Sequence, residues 1–300
     1  MTSLPDDWVS LNSPQLSAAI NPQGAQLSVL RDARGTDFLW SGDPAVWSGR
    51  APLLFPIVGA LAGGSYRLGS RTYQLPRHGF ARNRRFQVLS NSPARAVFRL
   101  QADAETLSVY PFRFELDVEF ALAGASLTLT TTVRNVGEED MPASLGYHPA
   151  FLWPLPDGQP RSAHCIDFAT DEPDPVRRLD GAGLLSEERI PTPIVGRRLA
   201  LRDELFANDA LILDHVRSRE VIYGASEGQS GPQGPRIRIG FPDSPYLGIW
   251  SKPGAGFVCI EPWHGIADPQ GFSGDFRSKP GVFIVPAAAA KAMQMTITLI

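Results

Sequence analysis

The sequence predicts an all-β protein, a large antiparallel β-sandwich with few short helices. Its 300 residues include 28 glycines and 27 prolines. These leave little room for long helices, because glycine costs a helix about 1 kcal/mol and an interior proline about 3 kcal/mol. Between these breaks, apolar and polar residues alternate with period two, as in half-buried strands. No regular alternation of strands and helices is visible, which favours an antiparallel sandwich. We expect one domain over residues 1–300, since all-β units of about 200–250 residues are often single domains.

The alternation is clearest in residues 114–120 and 127–133, which are separated by the turn sequence Ala123-Gly124-Ala125. This pattern predicts a β-hairpin. Residues 293–299 alternate in the same way, and we expect this strand to close the sheet rather than form a tail. Further strands are predicted at residues 26–30, 72–75, 96–100, 210–213, 220–223, 236–241, 246–250, 257–260 and 282–285.

Two segments have the composition of loops. Residues 167–193 are rich in Asp, Glu, Pro and Gly, and residues 225–235 are rich in Gly, Pro, Gln and Ser. Strand-like patterns resume after each of them, so neither is interpreted as a linker between domains.

The charge balance argues against a nucleic-acid partner, because 28 Lys and Arg face 31 Asp and Glu for a net charge of -3. No apolar run approaches the roughly 20 residues of a membrane helix. Residues 1–7 contain no secretory signal pattern, so a cytoplasmic location is expected. The only cysteines, Cys165 and Cys259, lack CxxC spacing. No glycine-rich nucleotide loop is present either, so neither a metal nor a cofactor is predicted.

Three short segments combine rigid turns with groups capable of acid–base chemistry. His148 follows a strand-like run and precedes Pro149, which restricts it to extended geometry. His78 lies between Pro76 and Gly79 in a turn that also brings Arg82 nearby. A single histidine is more often a surface or core side chain than a catalytic one, and the surroundings distinguish these two.

Glu261 ends the apolar run 256–260 and is followed by a proline and Trp263. A carboxylate at the end of a buried strand is desolvated, which raises its pKa toward the range useful for a general base. Aromatic residues accompany all three segments and suit the apolar face of a sugar, although core packing is an equal alternative for Phe80 and Phe151. These aromatic residues are Phe80, Tyr147, Phe151, Trp153 and Trp263.

The order and spacing of these motifs resemble the aldose 1-epimerase (galactose mutarotase-like) family, in particular its smaller bacterial members. The resemblance covers most of the chain. The matching segments are residues 24–27, 37–40, 52–59, 75–82, 110–114, 146–151, 208–212 and 261–268.

The resemblance implies a supersandwich fold and interconversion of the α and β anomers of a monosaccharide, without a cofactor. By the family's motifs, Glu261 corresponds to the general base and His148 to the general acid. His78 corresponds to a second histidine that holds the substrate and stabilises charge at the ring oxygen. Asp209 corresponds to an acid that binds sugar hydroxyls, with Asn208 as the alternative one position away. Arg82 and Trp263 are further candidates for substrate binding.

One departure from the family pattern concerns Ala60, where many relatives have an arginine. Arg82, Arg50 or Arg77 would then have to replace it, or the substrate differs. Two alternative functions therefore stay open: a sugar-binding or sensing protein with little turnover, and an epimerase of hexose 6-phosphates that uses arginine to bind the phosphate. A glycoside hydrolase is disfavoured, because hydrolysis usually needs two carboxylates and only Glu261 is nominated. The oligomeric state is not predicted.

Overall fold

The computed structural model describes residues 5–156, 158–226 and 234–300. Most of the loop predicted at 225–235 lies outside these residues. Within the described part, the chain forms twenty-two strands, one α-helix and short 3₁₀ turns. In chain order these are β1 (Val9–Asn12), β2 (Leu16–Asn21), β3 (Gln26–Asp32), β4 (Leu53–Leu54), β5 (Ser65–Leu68), β6 (Arg71–Gln74), β7 (Gln87–Ser92), β8 (Arg95–Gln101), α1 (Ala104–Val109), β9 (Phe114–Ala123), β10 (Ser126–Asn135), β11 (Met141–Ala143), β12 (Leu145–Tyr147), β13 (Ala150–Leu152), β14 (His164–Phe168), β15 (Arg198–Ala200), β16 (Leu211–Leu213), β17 (Glu220–Ala225), β18 (Ile237–Gly240), β19 (Tyr246–Trp250), β20 (Phe257–His264), β21 (Phe283–Val285) and β22 (Ala290–Leu299).

The largest sheet has nine antiparallel strands in the order β15-β14-β17-β18-β22-β10-β9-β8-β7. Strands β9 and β10 form the predicted hairpin, and their buried and half-buried residues alternate along both strands. Strand β22 pairs with β10 on one side and β18 on the other. It therefore belongs to the sheet, as expected, but lies in its middle rather than at an edge, with Met293, Met295 and Ile297 buried.

A second sheet has the order β16-β19-β20-β12-β4, with β13 also paired to β20. Its central strand, β20, is buried along almost its whole length. Smaller sheets are formed by β1-β2-β3, β5-β6 and β11-β21. This arrangement confirms the predicted all-β antiparallel sandwich.

Several strands lacked a sequence signal. Strand β7 is exposed throughout, so it shows no alternation between apolar and polar residues. The predicted strand 257–260 is too short, because β20 continues through Glu261 and Pro262 to His264.

Both cysteines are buried and unpaired. No helix of the described residues is long and apolar enough to span a membrane.

Candidate active site

The floor of the site is one face of the second sheet. Gly146 pairs with Trp263, and Ala150 pairs with Cys259 in the same antiparallel register. This register puts His148 directly opposite Glu261. Because residues opposite each other in a sheet project to the same face, the two side chains are neighbours.

Prolines interrupt the ladder at this point. Pro149 separates β12 from β13, and Pro262 lies within β20. A proline removes a ladder N–H, so it is normally excluded from central strands. Here Pro262 faces the place where the partner strand is itself interrupted. The local sequence therefore opens the sheet at His148 without changing its register.

His148 and Glu261 form a buried pair. The Nε2 atom of His148 lies 3.1 Å from Oε2 of Glu261, and the two side chains are 10% and 2% exposed. The contact lacks hydrogen-bond geometry, so Oε2 has no hydrogen-bond partner among the described residues.

Burial controls the protonation of both groups, because it disfavours charge. It raises the pKa of Glu261 well above its usual value, and the charge of Asp209 adds to this while Arg77 and the Trp263 indole oppose it. Burial, together with the nearby Arg82 and Arg77, lowers the pKa of His148 to about 3. Burial therefore disfavours the charged form of each group.

Aromatic rings surround this pair. Trp47 stacks on the His148 ring with centroids 5.1 Å apart, and Trp250 meets the same ring edge-on at 6.1 Å. The Trp263 indole lies across the sheet between two glycines. A Cβ atom on Gly248 would lie 2.3 Å from this indole, and one on Gly146 would lie 2.7 Å from it. These glycines leave the space that the indole occupies.

The rim of the site is built from loops, and His78 is its best-defined member. His78 has a φ of 69° and Gly79 a φ of 72°. The Gly59 N–H donates to His78 Nδ1 at 3.1 Å, and the His78 N–H donates to the Gly59 carbonyl at 2.9 Å. Since Nδ1 accepts a hydrogen bond, the proton of the neutral ring is on Nε2. Burial, followed by the proximity of His148, lowers the pKa of His78 well below its usual value.

The charged part of the rim contains Arg77, Arg82 and Asp209. Nη2 of Arg77 lies 3.8 Å from the Asp209 carboxylate. Asp209 has a φ of 64°, and its Oδ1 accepts a hydrogen bond from the Ala210 N–H at 2.7 Å. Arg82 donates to the Arg77 carbonyl at 2.8 Å and has no carboxylate partner among the described residues. Burial and the neighbouring Arg77 lower the pKa of Arg82.

Floor and rim enclose a cavity of about 210 Å³. A larger cleft of about 740 Å³, lined by Arg71, Arg113 and Arg277 among others, contains no buried acid–base pair. The smaller cavity is therefore the candidate active site. Its lining consists of Trp47, Val58, Gly59, Arg77, His78, Arg82, His148, Leu179, Asp209, Ala210, Ile212, Trp250, Glu261, Trp263 and Ala267.

All six site residues nominated from the sequence line this cavity: His78, Arg82, His148, Asp209, Glu261 and Trp263. Asn208, the alternative to Asp209, is exposed and outside it. Of the arginines considered as replacements at position 60, Arg77 and Arg82 line the cavity, whereas Arg50 donates to the Ser28 carbonyl elsewhere.

Four of the five aromatic residues, Phe80, Tyr147, Phe151 and Trp153, are buried and do not line the cavity. For Phe80 and Phe151 this is the core-packing alternative, whereas the expectation of a place in the site is wrong for Tyr147 and Trp153. Tyr147 and Phe151 alternate with Gly146, His148 and Ala150 along the chain, so they face the opposite side of the sheet, and Tyr147 donates to the Met293 carbonyl there.

Sequence reasoning missed Trp47 and Trp250. Trp250 carried a signal, because it lies two residues after Gly248 on a predicted strand and so shares its face. Trp47 lies in an irregular segment, where periodicity gives no information.

Cys259 lies close to the acid–base pair, since its Sγ is within 4.8 Å of ligating atoms of both His148 and Glu261. However, Cys259 does not line the cavity. Burial raises the pKa of its thiol well above the usual value, so the thiol stays protonated. Cys259 packs in a small apolar cluster with Ala150 and Phe257, against which Trp47 and Trp250 are packed.

Comparison with known proteins identifies the family. The family model for aldose 1-epimerase matches residues 7–276. The chain belongs to the aldose 1-epimerase family. This family member is 31% identical over 283 residues to the plasmid and chromosomal LacX proteins of Lactococcus lactis subsp. lactis, across 91% of this chain and 93% of each relative.

Solved structures of two similar proteins share the fold of this chain. A galactose mutarotase related enzyme from Lactobacillus acidophilus is 30% identical with a TM-score of 0.88, over 98% of this chain and 97% of that one. A galactose mutarotase-like protein from Lactobacillus casei is 28% identical with a TM-score of 0.88, over 98% and 100% of the two chains. These similarities confirm the resemblance read from the motifs.

Proposed function

We propose that the protein is an aldose 1-epimerase that interconverts the α and β anomers of a monosaccharide, with Glu261 as general base and His148 as general acid. The main observation in support of this function is the buried contact of 3.1 Å between His148 Nε2 and Glu261 Oε2. The contact lies on the floor of a cavity that is lined by aromatic rings.

The separation suits the chemistry of an anomeric centre. The anomeric hydroxyl oxygen and the ring oxygen are both bonded to C1, so the groups that serve them have to lie within a few ångströms of each other. A general base and a general acid each need to be within hydrogen-bond reach of their atoms. Cross-strand neighbours 3.1 Å apart satisfy the first condition.

The proton inventory also balances. The reaction needs an ionised Glu261 and a protonated His148, whereas burial favours the neutral forms of both. The two states of the pair contain the same single proton, so the pair neither gains nor loses a proton in passing from one to the other.

In the forward direction, Glu261 takes the proton of the anomeric hydroxyl while His148 donates its proton to the ring oxygen. The C1–ring-oxygen bond breaks, and C1 becomes the carbonyl carbon of the open-chain aldehyde. Rotation about C1–C2 presents the other face of the carbonyl. Ring closure then reverses both proton transfers. His78, with its proton on Nε2, is available to donate a hydrogen bond to the ring oxygen.

Recognition follows from the remaining lining residues. The Trp263 and Trp47 rings offer flat apolar surfaces for the C–H face of a sugar. Asp209 accepts hydrogen bonds from sugar hydroxyls, and Arg77 and Arg82 donate to them. These residues bind the substrate, whereas the buried pair carries the proton transfers.

The mechanism is tested by following the anomerisation of α-glucose and α-galactose by polarimetry or NMR saturation transfer. Glu261→Gln and His148→Asn are each expected to lower kcat by about 10²- to 10⁴-fold, the usual contribution of general acid–base catalysis. Cys165→Ala, at a buried cysteine that does not line the cavity, serves as the control and is expected to keep the wild-type rate. Equal rates in the wild type and both variants would rule the mechanism out. Saturable sugar binding without rate enhancement in the wild type would favour a sensing protein.

A second candidate function is epimerisation of a sugar phosphate. The observation in its favour is Arg82, a half-buried guanidinium in the cavity without a carboxylate partner among the described residues. Arginine suits phosphate because its planar fork binds two oxygens. Calorimetry with a free hexose and its 6-phosphate, at two salt concentrations, distinguishes the candidates. A phosphate preference that Arg82→Met abolishes would support the second function, and equal affinity would exclude it.

A further inference from the structure

A buried ion pair lies behind the rim of the cavity. Lys279 and Asp268 are 1% and 5% exposed, and Nζ of Lys279 lies 3.1 Å from Oδ1 of Asp268. Nζ also donates to the Ile266 carbonyl at 2.7 Å. Lys279 therefore binds both ends of residues 266–268, whose middle residue, Ala267, lines the cavity.

Stability alone does not account for this pair. Removing two charges from water is costly, and replacing a buried ion pair with apolar side chains is often neutral or stabilising. Burial lowers the pKa of Lys279 even though Asp268 opposes the effect, which reflects the same cost. The geometry that the pair imposes on residues 266–268 explains it better than a gain in stability does.

Asp268 connects the segments that support the rim. Its Oδ2 accepts a hydrogen bond from the Ala62 N–H at 2.9 Å. Its own N–H donates to the Ala60 carbonyl at 2.9 Å, and its carbonyl accepts from the Leu185 N–H at 2.8 Å. The main chain and side chain of Asp268 thus hold the loop 59–62 at two points.

This loop in turn holds His78. Gly59 packs so tightly on Ala267 that a Cβ atom on Gly59 would lie 2.5 Å from the Ala267 Cβ. Gly59 exchanges two hydrogen bonds with His78, one of which ends on Nδ1 of the ring. The position of Gly59 therefore determines the tautomer of His78.

We propose that Asp268 is a positioning residue that keeps the His78 proton on Nε2, facing the substrate, through the loop 59–62. The effect on turnover rests on the proposed function, whereas the tautomer of His78 can be measured without any activity.

The experiment compares two double variants. Asp268→Leu with Lys279→Met removes both charges and the acceptor for the Ala62 N–H. Asp268→Asn with Lys279→Met also removes both charges but keeps an acceptor oxygen. The ¹⁵N NMR spectrum of the imidazole, assigned with His78→Gln, reports which nitrogen carries the proton. The leucine variant is expected to show a mixture of tautomers, and the asparagine variant the wild-type pattern.

Kinetics provide the second readout. The leucine variant is expected to lose about fivefold to tenfold in kcat with little change in KM, the scale of one hydrogen bond made in the transition state. The asparagine variant keeps the wild-type kcat. A wild-type tautomer in the leucine variant, or identical spectra for the two variants, would overturn the role of Asp268.

If the leucine variant does not fold, Ala62→Pro provides a second test of the same hydrogen bond. Ala62 begins the 3₁₀ turn Ala62–Gly64, and Leu61 before it is extended, so proline fits here and removes only the N–H that donates to Asp268. Ala62→Ser keeps this N–H and is the control. A tautomer shift is expected in the proline variant and absent in the serine variant, and no difference between them would overturn the proposed role. If the wild type has no epimerase activity but the tautomer shift occurs, only the proposed function fails.

Discussion

The floor and the rim of the cavity are built in opposite ways. The floor is a regular sheet face, where His148 and Glu261 are neighbours because the register of β12, β13 and β20 puts them opposite each other. The rim is built from loops that need left-handed backbone. Residues with positive φ on the rim are Gly59, His78, Gly79 and Asp209.

The floor and the rim suit two different tasks. Proton transfer between two buried groups requires a fixed distance, and a hydrogen-bonded sheet supplies this rigidity. Recognition of hydroxyl groups requires donors and acceptors in several directions, which loops supply more easily. Floor and rim should therefore respond differently to substitution.

The rim should be the more sensitive to an added methyl group. A Cβ atom on Gly79 would lie 2.2 Å from the Phe55 carbonyl oxygen, and Gly79 also has a φ of 72°. Gly79→Ala is expected to lower the free energy of unfolding by about 3 kcal/mol, from backbone strain and overpacking together. Urea denaturation measures this change. Gly69→Ala, with a φ of 57° and no atom within 4 Å of the added Cβ, isolates the backbone strain. Equal losses in both variants would show that the contact with Phe55 is unimportant.

On the floor, the corresponding change is Gly248→Ala. Its Cβ would lie 2.3 Å from the Trp263 indole, which must move. The variant is expected to lose about 2 kcal/mol of stability, typical of overpacking, and to change the tryptophan fluorescence. Gly240→Ala is the control on a regular strand, where the nearest atom is 3.9 Å away. Wild-type fluorescence and stability in Gly248→Ala would contradict a fixed indole.

Asp209→Asn tests recognition by the rim. Asparagine tolerates positive φ and keeps the acceptor for the Ala210 N–H, so the variant removes only the charge. We expect KM to rise about fivefold with kcat unchanged, the result of losing ground-state binding. Steady-state anomerisation kinetics measure both constants. Asn208→Ala, outside the cavity, should leave them unchanged, and a larger effect there than at Asp209 would reverse the assignment.

The smallest expected effect is that of mild acid on the floor. The active pair contains one proton, and a second is added only when the pH approaches the His148 pKa of about 3. As the pH rises, the single proton is lost at the raised pKa of Glu261. Accordingly, kcat/KM should stay constant between about pH 5 and pH 7. The charged and titratable groups that face the pair are Arg77, Arg82, His78 and Asp209. A decline below about pH 6.5 would mean that His148 titrates like an exposed histidine.

Several strands and the candidate acid–base residues could be predicted from the sequence alone. Period-two alternation is a local property, so the hairpin of β9 and β10 could be predicted from its residues. The turns around His78 and His148 and the carboxylate before Pro262 are also local features. Together with the family resemblance, which supplied Asp209, they nominated six residues that line one cavity.

Only the tertiary structure decided which faces and which neighbours these residues have. Tyr147 and His148 are adjacent in sequence yet lie on opposite sides of the sheet, and Trp47 reaches the cavity from a segment without periodicity. The contact between His148 and Glu261 depends on the pairing of strands that are distant in sequence. The apolar pattern determines which face of a strand is buried, whereas the register between strands distant in sequence also depends on how the whole core packs.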